Sequence, residues 1–153
     1  MKHPTLATLL FALAQAASCP AAAHLPGMGV GSLVVTRDQA TGTRAYGLES
    51  NAAVLIFNAG LSLRQWENEI TGWNGRRLNN EATVYVGLGL ANFIQLQRGF
   101  SNGGARTRVR VDLPFVSEQE KWGRFAKGIV LSPFVETGSG KKAYGVGIGV
   151  AYF

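Results

Sequence analysis

The sequence predicts an all-β protein, an antiparallel up-and-down β-barrel of about eight strands, and three observations lead there. Apolar residues recur at every second position from residue 28 onward, and no long stretch shows the spacing of an amphipathic helix. Several of these runs carry large apolar side chains on one face and glycine, small or polar residues on the other. The chain holds 20 glycines against 5 prolines, and turn formers punctuate the runs at short intervals.

The chain has 153 residues, which suits a single domain. Residues 1–23 read as a secretory signal peptide: Lys2, then an uncharged apolar run from Leu6 to about Ala17, then small residues up to an Ala-x-Ala site before His24. That run is shorter than the roughly 20 residues of a membrane-spanning helix. The expected domain is therefore 24–153. The only cysteine, Cys19, lies inside the leader, and "AASC" loosely resembles a lipobox, so lipidation of Cys19 is the alternative processing route. Without Cys19 the exported chain has no thiol for a disulfide, a metal or nucleophilic attack.

Eight candidate strands run over 28–37, 43–49, 52–66, 81–90, 93–100, 105–113, 125–137 and 141–153. "SN" (50–51) and "AN" (91–92) read as two-residue hairpin turns, and "SNGG" (101–104) and "GSG" (138–140) supply residues tolerant of positive φ. The polar stretch 67–80 reads as the longest loop. Strands 43–49 and 93–100 are shorter than the 9–11 residues that a tilted membrane strand needs.

The phase within the strands carries the architecture. In 105–113, Arg106, Arg108, Arg110 and Asp112 share one face and Thr107, Val109, Val111 and Leu113 the other. In 81–90, Glu81, Thr83, Tyr85 and two glycines oppose Val84, Val86, Leu88 and Leu90. The last strand sets Tyr144, Val146, Ile148, Val150 and Tyr152 against alanine and glycine alone. A soluble β-sandwich would also alternate, burying the apolar face and wetting the other. Glycine at every second position is a poor wet face, because glycine weakens a strand. The interior of a narrow barrel has little room, so small residues fit there. The barrel is the favoured reading and the sandwich the alternative. In the barrel, Arg106, Arg108 and Arg110 form an interior charge network with Asp112, Glu81 and Glu136.

The chain ends "GVGIGVAYF", an alternating strand closed by Tyr152 and Phe153. This resembles the C-terminal assembly signal of bacterial outer-membrane β-barrel proteins, and with the leader it resembles the broad class of small eight-stranded barrels. The resemblance implies a Gram-negative outer membrane and insertion from the periplasm by the barrel-assembly machinery. It also implies outer-membrane lipid, with lipopolysaccharide among it, as the surrounding partner. A periplasmic or secreted binding protein of inhibitor or immunity type is the second reading.

An outer-membrane lipid-modifying enzyme is the third reading, and the residues argue against it. Such enzymes resemble other hydrolases and acyltransferases in using a histidine base. The only histidine after the leader is His24, at the new terminus. Glu67, Glu69, Glu118 and Glu120 read as solvated loop charge. "GMGVG" (27–31) and "GVGIG" lack the strand-to-helix context of a phosphate loop. No catalytic residue, cofactor or metal is expected. Trp66, Trp73 and Trp122 read as interfacial anchors. The net charge is +6, and with an exported chain it points to anionic lipid, polysaccharide or an acidic partner rather than nucleic acid. Arg76, Arg77, Lys141 and Lys142 are the candidate anion-binding rim, facing the phosphates of lipopolysaccharide. Neither ligand identity nor oligomeric state follows from these residues.

Overall fold

The structure, a computed structural model, describes residues 27–90, 93–116 and 128–152. Residues 1–23 with Cys19, together with His24, the 91–92 turn, Glu118, Glu120, Trp122 and Phe153, lie outside the described residues. The strands follow in chain order as β1 (Gly27–Asp38), β2 (Arg44–Val54), β3 (Phe57–Thr71), β4 (Arg77–Leu90), β5 (Ile94–Ser101), β6 (Gly104–Val111), β7 (Leu113–Val116), β8 (Gly128–Gly138) and β9 (Lys141–Tyr152).

Neighbours from β1 to β6 pair antiparallel in sequence order, β8 pairs with β9, and β9 returns to β1. β6 and β7 both lie against β8, on either side of Asp112, and are two halves of one stave. A single sheet therefore closes into an eight-stranded antiparallel barrel. No pair of stacked sheets exists among the described residues, so the sandwich alternative falls.

Polarity is turned inside out along much of the wall, most plainly on β5 and along β6. β5 alternates exposed Ile94, Leu96, Arg98 and Phe100 with inward Gln95, Gln97 and Gly99. β9 turns Ala143, Gly147 and Ala151 inward and Tyr144, Val146 and Ile148 outward. Leu33, Leu88 and Ile148 are 62, 53 and 57% exposed, whereas Arg106, Arg108 and Arg110 are at 0%. A globular protein in water places these residue types the other way round. Exposed aromatics stand toward both ends of the outer wall: Tyr46, Phe100 and Tyr144 toward one, Phe57 and Phe93 toward the other.

Two turn assignments move. Ser50–Asn51 is not a hairpin: β2 runs on through it to Val54, and Leu55–Ile56 makes the turn, with Leu55 at a φ of 55°. Asn51 points inward, where Gln95 and Gln97 bond it, so its polarity serves the interior rather than a turn. β2 thereby reaches 11 residues, while β5 has 8. The long loop expected over 67–80 is also mostly strand, since β3 and β4 extend to Thr71 and Arg77 and leave only 72–76 between them. A register shift between Gln65 and Ile70 bends this hairpin. The 139–140 turn places both Ser139 and Gly140 in the left-handed region, with φ of 44° and 75°.

Candidate functional site

The connections 39–43, 72–76, 102–103 and 139–140 share one end of the barrel, here the hairpin end. β1 begins and β9 finishes at the opposite, terminal end. Between the ends the lumen is filled. Alternation on five staves aims Glu49 and Asn51 of β2, Ser62 and Arg64 of β3, Glu81 and Tyr85 of β4, Gln95 and Gln97 of β5, and Arg106, Arg108, Arg110 and Asp112 along the β6 stave at one another.

Near the hairpin end Arg106 reaches Glu81 at 2.5 Å and Glu136 at 3.2 Å, and donates to the Thr83 hydroxyl. Arg64 clasps Glu136 with two bonds of 2.8 Å, one from each terminal nitrogen. Tyr85 donates its hydroxyl to the same carboxylate at 2.5 Å. Deeper, Arg108 meets Glu49 at 2.5 Å and donates to Gln97 at 2.7 Å, while Arg110 bonds the other oxygen of Glu49. Arg110 also reaches Asp112 at 2.6 Å and Ser132 at 2.9 Å. Gln95 donates to Asp112 at 2.8 Å, and Gln97 donates to Asn51 and Asn58 at 2.9 and 2.8 Å.

Every charge expected inside, namely Arg106, Arg108, Arg110, Asp112, Glu81 and Glu136, lies in this one network. Glu49 and Arg64 complete it. The sequence pattern closes the second strand at Glu49, its last residue, and names neither Glu49 nor Arg64 among the interior charges. The completed set is four guanidiniums and four carboxylates, all buried. Charge balance matters here, because an uncompensated buried charge is costly while a paired, hydrogen-bonded one is tolerated.

Rings complete the plug. The Arg108 guanidinium carbon lies 3.6 Å from the centre of the Tyr85 ring, and that of Arg64 lies 5.1 Å from the Phe134 ring. The rings in turn cover glycines: a Cβ on Gly145 would strike Phe134, and one on Gly99 would lie 2.6 Å from Tyr85. Apolar residues close both ends. Ala45, Trp66, Ile70 and Leu78 cluster toward the hairpin end, and Val30, Val130 and Ala151 cluster at the terminal end.

Trp66 and Trp73 are therefore not interfacial anchors. They are 5 and 9% exposed, Trp66 within the apolar cluster and Trp73 with its ring centre 5.5 Å from the Arg106 guanidinium carbon. The 72–76 connection folds over this end as a cap. Asn74 donates to Gly103, and Lys141 donates to the carbonyls of Thr71 and Gly72 at 2.8 and 3.0 Å.

The expected rim is divided by these contacts. Lys141 is spent on the cap, and Arg77 lies 3.7 Å from Glu69 with both exposed. Arg76 and Lys142 are exposed. Glu67 and Glu69 belong to β3 rather than to a loop, and Tyr46 donates to Glu67 at 2.9 Å. Tyr152 pairs with Gly29 at the β1–β9 seam. Among the described residues there is no histidine, and no three potential metal-ligating side chains gather. No protein-family model, curated protein or solved structure matches the chain.

Proposed function

We propose that this chain is a small non-enzymatic β-barrel of the bacterial outer membrane, with a structural or interaction role. The observation that carries the reading is the reversal of polarity: eight buried, mutually paired charges inside and an apolar wall outside. In water, an outer wall bearing Leu33, Leu61, Val84, Val86, Leu88, Leu96 and Ile148 would far exceed the exposed apolar patch of an ordinary monomer. In a bilayer the same wall is solvated by lipid, and the β1–β9 and β6–β8 ladders that close the sheet remove the long open edges of a flat one.

A filled lumen fits a scaffold better than a channel, since eight strands leave room for side chains and little else. Insertion from the periplasm would leave the terminal end there and turn the hairpin end outward. That end carries Arg37, Arg44, Arg76, Arg77, Lys141 and Lys142 against Asp38, Glu67 and Glu69, an excess of three positive charges. The excess suits the phosphates of lipopolysaccharide as the neighbouring anions.

Cell fractionation tests the reading. The protein is expected in the outer-membrane fraction, released only by detergent, and running as a compact band on gels until it is boiled. Full recovery in the soluble periplasmic fraction without detergent would replace this function with that of a soluble binding barrel.

A further inference from the structure

The ladder of the β6 stave is interrupted where it passes β8. The ladder between β6 and β8 stops after Arg110–Phe134, and the stave resumes pairing at Leu113–Leu131. Pro133 stands in the gap and has no N–H to offer a neighbouring strand. A groove of about 600 Å³ crosses the wall here, within the range of roughly 300–1,000 Å³ of small-ligand pockets.

The strand register gives the groove its course. One row of outward residues passes from Val109 to Val135, Tyr144, Arg37 and Arg44, each paired with the next across adjoining strands. A second row, Pro133, Val146 and Val35, lies two residues nearer the terminal end. Val109 is five residues inside the start of β6, whereas Arg44 is the first residue of β2. The groove therefore climbs diagonally, apolar along its floor, and ends at the rim beside Arg37 and Arg44, both of which line it.

Those two guanidiniums need an explanation. Arg37 and Arg44 face each other directly across the β1–β2 ladder, both exposed, and neither pairs with a carboxylate among the described residues. Like charges directly opposite one another destabilise a sheet. A phosphate between them would reverse the sign of that contact, and planar guanidiniums suit its oxygens.

We propose that this groove holds one acyl chain of a phosphate-bearing membrane lipid, whose phosphate sits between Arg37 and Arg44. The inference rests on the membrane reading and adds to it a defined lipid site, separate from the rim of Arg76, Arg77, Lys141 and Lys142. Tyr144, midway along the row, lies where the chain meets the headgroup region.

The test is native mass spectrometry of the full chain in a neutral detergent. The probes are bis-phosphorylated lipid A, the same lipid with its phosphates removed, and inorganic phosphate. Lipid A is expected to bind at least tenfold more tightly than the dephosphorylated form, and inorganic phosphate at the same concentration should not displace it. Arg37→Gln with Arg44→Gln should remove the preference for the phosphorylated lipid, and Val146→Trp should weaken both lipids by filling the groove. These positions point outward, and the compact band on gels verifies that each variant is folded. Equal binding of the two lipids, an unchanged preference in the Arg37/Arg44 variant, or displacement by free phosphate would overturn the site. If such a result comes from a barrel that still requires detergent, the lipid site alone falls. A chain soluble without detergent removes the membrane reading as well.

Discussion

Glu136 shows what holds the lumen together at the scale of one residue. Its carboxylate takes two bonds from Arg64, one from Tyr85, and lies 3.2 Å from Arg106. Neutralising it leaves two guanidiniums facing each other out of reach of water. Glu136→Gln should cost about 3–5 kcal/mol in an unfolding titration, the range for breaking one side of a buried pair. Adding Arg64→Gln should cost less than the second change does alone, because it removes the stranded charge. A small Glu136→Gln effect that adds independently to Arg64→Gln would argue against the network. Arg108 is held by the same logic, between Glu49, Gln97 and the Tyr85 ring. The sequence pattern made Arg106, Arg108 and Arg110 legible as inward, since a charge at every second position leaves no other way to keep an apolar face. It could not reveal Glu49. That residue lies 59 positions before Arg108, and only the closure of the barrel brings the two together.

At the scale of the element, β9 is the stave that most needs its small residues. A Cβ on Gly149 would lie 2.6 Å from the Ser32 Cβ, and one on Gly147 would lie 3.1 Å from Val34 and 3.2 Å from the Ser32 hydroxyl. A leucine at Gly147 must displace β1 side chains that a closed barrel cannot move outward. Gly147→Leu should lose at least 1–3 kcal/mol, the usual scale of overpacking, and with it the compact band on gels. Ile148→Leu, which faces outward at 57% exposure, should keep that band. Equal behaviour of the two variants would contradict the inward assignment of Gly147. The period-two pattern of this strand was readable because one face is uniform. The β2–β3 turn was not, because a strand that turns Asn51 into the lumen and a solvated Ser-Asn turn draw on the same residues. The burial of Trp66 and Trp73 was not legible for a related reason: interfacial preference is a tendency of the residue type, and the Gln65–Ile70 register shift lies in the strand segment that carries Trp66 into the core.

For the whole molecule, the account rests on what surrounds the outer wall. On β3 the outward apolar residues run from Phe57 to Leu63. At about 3.4 Å per residue and a tilt near 40°, they cover about 16 Å of height, against the usual band of about 25 Å. A barrel this short fits a thin bilayer, and each ångström of mismatch has a modest cost. Refolding into dilauroyl phosphatidylcholine vesicles should be more complete than into dioleoyl vesicles, as read by protection of the barrel from protease. Equal yields would mean that the apolar band does not set the depth of insertion. The most direct test places single spin-labelled cysteines, in a Cys19→Ser background, at Leu61, Val86 and Ile148 of the refolded barrel in lipid vesicles. The account predicts that electron paramagnetic resonance finds all three readily relaxed by dissolved oxygen, which concentrates in lipid, and shielded from a water-soluble nickel chelate. Strong relaxation by the nickel chelate at these positions would place the outer wall in water and contradict it.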